Sequence, residues 1–226
     1  MEVFMKKSLI KTVGILLIVS IFSSVTAQAS TIQKIEVISI ESVKFENLIY
    51  EIQSIKEVHP EYTEEMILEI MNERHPHIKD SSKGIIDIWN MLTDSEKKLC
   101  IRYPFDALKV NTAKDIATSQ TVLKFGSNGL GDRSDAFRHG IWNAEMTILI
   151  GKEKAKLFAT AHEDKDISGN ELDGYPKTAH KDMDLNNNEI GRNIGEKNMN
   201  VSENEMADII YQNIYSETTE FVWLHE

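Results

Sequence analysis

The feature that most constrains this chain is its helical periodicity. From Gly84 to residue 216 the apolar residues recur at spacings of three and four, and the whole chain of 226 residues holds only four prolines. Ile85, Ile88, Trp89 and Leu92 fall at i, i+3, i+4 and i+7, the stripe a helix must cover with another element. A short helix capped by Asp94 or Ser95 should follow and stop before Pro104. Phe105 to Phe125 carries Leu108, Ala113, Ile116 and Leu123 among good helix formers. Helices are then predicted over Ser134 to Ile150, ended by Gly151, and over Glu153 to about Glu163. A polar loop covers 164–182, and the last helices span Asp184 to about Lys197 and 203–216. The expectation is an all-α, compact, bundle-like domain over residues 81–226, preceded by a short N-terminal arm.

The ends of the chain read differently. Residues 1–29 have the form of a signal peptide: Lys6, Lys7 and Lys11, an apolar run from Val13 to Phe22, and the small-x-small site Ala27-Gln28-Ala29. Cleavage after Ala29 would make this a secreted or cell-envelope protein. The apolar run is short of the ~20 residues that span a bilayer, which argues against an uncleaved anchor. No later stretch suits a span, so the mature chain should have no transmembrane segment. Residues 30–80 read as the arm. Ile35 to Ile40 has β-branched character that fits a short strand or an extended segment. Thr63 looks like the cap of a helix over 64–74, and residues 75–83 look like a linker.

Charge and cysteine narrow the function. The formal charge is −11, and −13 without residues 1–29, which hold three Lys and one Glu. A nucleic-acid partner is disfavoured, because phosphate neutralisation needs a basic footprint. The single cysteine, Cys100, lies between Leu99 and Ile101 and reads as a buried small hydrophobe. An exported chain without an internal disulfide must rely on its core or a bound ion, a pattern that fits a bacterial source. Gly126 to Gly131 is a flexible break and not a phosphate loop, since Asp132 would repel the anion.

The chemistry-bearing residues fall in three blocks. On the 134–150 helix, Ala136, Gly140 and Ala144 form a small-residue stripe that admits a close helix partner. Beside it run Asp135, His139, Trp142, Asn143 and Met146, with Asp135 one turn before His139, so that a carboxylate can orient the imidazole. On the next helix Ala155, Phe158 and Ala159 lead to His162 and Glu163. The third block is Met183 to Arg192, with Asp184 or Asn186 as a helix cap. Its Asn186-Asn187-Asn188 run costs helix propensity, so something beyond local preference retains it.

Asp135-Ala136-Phe137-Arg138-His139 with Trp142-Asn143-Ala144, then Ala161-His162-Glu163, then Met183-Asp184-Leu185 with Asn186-Asn187 and Gly191-Arg192, resembles an uncharacterised bacterial domain family. Its pattern is DAFRHxxW, AHE and MDLxNNxxG, and it occurs in secreted proteins and at the ends of wall-associated or toxin-like proteins. The likeness covers about residues 125–200. It implies positions and no reaction. The Asn186 to Asn188 run departs from the pattern, in which an aromatic or His often precedes the Asn pair.

Two chemistries fit these residues. In one, His139, His162, Glu163 and Asp184 hold a divalent transition metal between helices, leaving a position for a hydrolytic water. In the other, no metal is needed: Asp135 orients His139 as general base, Glu163 or Asp184 is acid or orienter, and Arg138 holds an anionic group. Either makes the protein a hydrolase acting on an envelope or extracellular substrate. The alternative is a non-enzymatic envelope binding or structural domain in which the same residues form a buried polar network. Calcium is a weaker candidate: Asp164, Asp166, Ser168, Gly169 and Asn170 match half of an EF-hand loop, but Glu171 and Tyr175 break it, and Asp182-x-Asp184-x-Asn186 lacks the central Gly.

Overall fold

The computed structural model describes residues 40–76 and 88–226. Residues 1–29 and the strand-like stretch at 35–39 lie outside the described residues, as does the 77–87 stretch that holds the expected arm boundary. The described chain is all-α, with no strand beyond one isolated bridge between Asn170 and Pro176. Its helices are α1 (40–58), α2 (Glu64–Arg74), α3 (Ile88–Met91), α4 (Asp94–Arg102), α5 (Pro104–Phe125), α6 (Arg133–Ile150), α7 (Lys152–His162), α8 (Lys177–Lys197) and α9 (Glu203–Ile214).

Helix α1 occupies part of the segment read as an arm. It is amphipathic, and Phe45, Leu48, Ile49, Ile52 and Ile55 join one core with Met71, Trp89 and Ile101. The 3- and 4-residue spacing of these buried positions is what makes 40–58 a helix. Thr63 caps α2 as predicted, its hydroxyl accepting from the Met66 N–H. Helix α4 is capped one residue earlier than expected. Thr93 and Glu96 form a reciprocal capping box, so neither Asp94 nor Ser95 is the cap. The largest shift concerns α8. It begins at Lys177, just after Pro176, so the polar loop is shorter than expected and Asp184 lies inside the helix rather than at its cap.

Helix α6 is the centre of the domain. Between Ser134 and Thr147 every residue except Arg138 is buried, and α5, α7, α8 and α9 all pack on it. The small-residue stripe does what its spacing predicts. Gly191 of α8 sits against the carbonyl of Gly140, and Gly195 against that of Ala144, so closely that a Cβ on Gly191 would lie 2.2 Å from the Gly140 oxygen. The backbones of α6 and α8 therefore touch. That contact brings polar side chains of both helices into one buried interface.

The Asn run on α8 is explained by two different partners. Asn186 donates to the Glu220 carbonyl at 3.0 Å; Asn187 donates to the Val222 carbonyl at 2.8 Å and accepts from its N–H at 3.0 Å. These amides clasp the C-terminal tail, whose Phe221 is buried over Gly140. Asn188, on the other side of α8, belongs to the site described below.

Glu145 is a buried carboxyl with one oxygen lacking any partner among the described residues. Burial pushes its pKa up to about 7, with the Glu203 carboxylate adding to the shift. The folded state thus holds this proton more tightly than the unfolded chain does. Ionisation works against the fold fully above about pH 7, and the penalty vanishes below the ordinary Glu pKa of ~4.3. Glu145→Gln should melt higher than the parent at pH 8 and at the same temperature at pH 4. Equal melting at pH 8 would refute the assignment.

Candidate functional site

Helix α6 aims His139 at α8, and the α6–α8 contact decides what the ring meets. The tautomer can be traced from Arg192, a side chain that only donates. Its Nη1 donates to Asn143 Oδ1 at 2.8 Å, which orients the Asn143 amide. Asn143 Nδ2 then donates to Asn188 Oδ1 at 2.6 Å. His139 Nδ1 lies 3.0 Å from the same oxygen and must donate to it. The Asn143 amide also bonds the His139 carbonyl at 3.2 Å, tying the relay to the backbone of α6.

With Nδ1 carrying the proton, the Nε2 lone pair faces two carboxylates. Asp184 Oδ1 is 3.3 Å away and Asp135 Oδ1 is 3.5 Å away. Burial holds the imidazole pKa below its ordinary value, against the pull of the Asp135 charge, so the ring favours its neutral form. A neutral nitrogen lone pair and two carboxylate oxygens converging in a buried site repel one another unless a cation or a proton stands between them. One ligand atom from each of Asp135, His139 and Asp184 lies within 4.8 Å of the others. This is the one such group among the described residues.

The surrounding charges sharpen the imbalance. Glu163 is buried at the end of α7, and one of its oxygens has no partner among the described residues. Burial, with the charges of Glu163 and Asp135, pushes the Asp184 carboxyl up to about 9. Against three carboxyl groups stands the Arg138 guanidinium, which pairs with Asp135 Oδ1 and donates to the Gly129 carbonyl at 3.1 Å. Gly131 N–H donates to the other Asp135 oxygen at 2.7 Å. Gly131 has φ +72, and a Cβ there would run into Asp173 and His180, so this close approach needs glycine.

Several sequence expectations change. Asn188, not Asp135, orients the His139 ring; Asp135 is itself held by Arg138 and Gly131. Arg138 is engaged by Asp135 rather than waiting for an anion. His162 does not join His139. Its Nδ1 bonds Glu96 at 2.8 Å, its Nε2 lies 3.0 Å from Lys165 Nζ, and the Trp142 indole meets both imidazoles edge-on. The two histidines share one aromatic neighbour and no ligand position. Glu163 acts on the cluster through its charge from outside the ligand group. The half EF-hand is not assembled: Asp164 accepts from Ser95 Oγ, and Asp166 accepts from Ser168 in its own turn. Asp182 and Asp184 are helical, so the second calcium reading falls with the loop it needed.

Residues 97–218, just over half of the chain, match the family described as Domain of unknown function (DUF6973), and all the residues of the cluster lie within the match. No curated protein and no solved structure matches the chain. Among the described residues no helix is long and apolar enough to cross a membrane.

Proposed function

The chain belongs to the DUF6973 family of unknown function, and from that premise we propose that it is an exported bacterial hydrolase whose Asp135, His139 and Asp184 hold a divalent metal ion. The observation that carries this reading is the convergence of His139 Nε2 with one carboxyl oxygen each of Asp135 and Asp184 in a buried site. Without a cation the Asp184 carboxyl, raised to about 9, keeps a proton between itself and His139 Nε2; a divalent cation would take that proton's place and bind all three ligand atoms. Ligands inward from facing helices are the way helical domains build such sites, and an imidazole held through its other nitrogen is the usual supporting arrangement. One nitrogen and two carboxylate donors suit Mn²⁺, Fe²⁺ or Zn²⁺ better than a soft metal.

A bound metal of this kind polarises the scissile bond and lowers the pKa of a coordinated water. Glu163, with one oxygen unpartnered among the described residues and its charge felt at the cluster, would take the water proton as the oxygen adds to the substrate, then return it to the leaving group as the bond breaks. The acidic chain and the signal-like residues 1–29 fit a substrate outside the cytoplasm or in the envelope.

The test is turnover of p-nitrophenyl butyrate and bis-p-nitrophenyl phosphate by the purified chain, with Mn²⁺ or Zn²⁺ and with chelator. Asp184→Asn should lower kcat/KM at least about a hundredfold, and Glu163→Gln should lose turnover while retaining the metal. Equal rates with and without metal, or full activity in Asp184→Asn, would reject the reading. The Arg192, Asn143, Asn188 and His139 relay also supports a second reading, a purely structural network across the α6–α8 interface. That reading expects His139→Ala to melt far lower because it strands Asn188. A site expects little loss of stability, or a gain.

A further inference from the structure

This domain holds a cavity of about 370 Å³, within the range of small-molecule sites. Its wall is mainly apolar, with Phe45, Leu92, Val110, Ala117 and Phe158 among the lining residues, and His139 and Trp142 border it too. The cavity follows α5 from Ala107 to Thr118, eleven steps of 1.5 Å or about 16 Å, so it is elongated. Trp142 is nine-tenths buried, and its indole N–H has no acceptor among the described residues.

We propose that this cavity is the acyl-chain pocket of the His139 site. The substrate is then a carboxylic acid derivative, an ester or amide, with a medium-length alkyl chain. The chain lies along α5 among Phe45, Val110, Ala117 and Phe158. The acyl head lies at the end of the cavity bordered by His139 and Trp142. This assignment of the substrate class rests on the hydrolase reading above, while the pocket itself does not.

Calorimetric titration of the purified metal-free chain with butanoate, octanoate and dodecanoate tests the pocket. Each methylene entering an apolar site should tighten binding about fourfold, so octanoate should bind at least about tenfold more tightly than butanoate. Val110→Trp and Ala117→Phe, which fill the cavity, should abolish octanoate binding and leave Mn²⁺ titration unchanged. Val110 is only partly buried, so its variant keeps the test valid if Ala117→Phe fails to fold. Equal affinity for butanoate and octanoate, or unchanged octanoate affinity in folded Val110→Trp, would overturn the proposal. Chain-length-dependent binding by a protein that takes up no metal would uphold the pocket and reject the metal-dependent reading alone.

Discussion

Gly191→Ala is expected to lower the melting temperature by roughly 6–12 °C. An alanine in a helix ordinarily adds up to about 1 kcal/mol over glycine. Here its Cβ would stand 2.2 Å from the Gly140 carbonyl oxygen and 2.9 Å from the Gly140 Cα. These are backbone atoms of a buried helix and cannot swing aside. The two helices must separate, at a cost of about 3 kcal/mol by the usual measure of overpacking. For a domain of this size that corresponds to about 2–4 °C per kcal/mol. Gly140→Ala should cost less, because its Cβ would meet the Phe221 ring and Ile210 methyl rather than backbone. Thermal melts of the two variants check the order. A Gly191→Ala protein as stable as the parent would show that α6 and α8 do not touch through their backbones.

His139→Ala is expected to weaken Mn²⁺ or Zn²⁺ binding more than about a hundredfold, and His162→Ala to leave it within about threefold. Loss of a supporting residue alone typically costs ten- to a hundredfold, and His139 is a ligand in this account. His162 is committed to Glu96 and Lys165, and Trp142 lies against both rings. Competition titrations against a metal-sensitive dye separate the two variants. Equal losses would restore the two-histidine site that the sequence suggested.

The sequence made the fold class and the key helix legible because both follow from spacing. The Ala136, Gly140, Ala144 stripe predicted a close helix partner, and α8 supplies it with Gly191 and Gly195. What spacing could not provide was the partner's rotation. Asp184 read both as a helix cap and as a ligand beside His139, and spacing could not choose between them. The helix begins at Lys177, which turns Asp184 inward to His139. The triple Asn was the available clue. Its poor helix propensity signalled tertiary demand, and the demand proves double, the tail on one side and the His139 ring on the other. The pairing of His139 with His162 followed from a short turn at Gly151. It failed because Trp142 and Glu96 take the intervening contacts, and nothing local in sequence placed Glu96 beside residue 162.

The most direct measurement is pulsed electron paramagnetic resonance of the purified chain with one equivalent of Mn²⁺, read for nitrogen coupling. The expected spectrum shows modulation from one imidazole nitrogen, absent in His139→Ala and retained in His162→Ala. A spectrum of hexa-aqua Mn²⁺ in the parent chain, or a nitrogen coupling that survives in His139→Ala, would contradict the assignment of Asp135, His139 and Asp184 as a metal site.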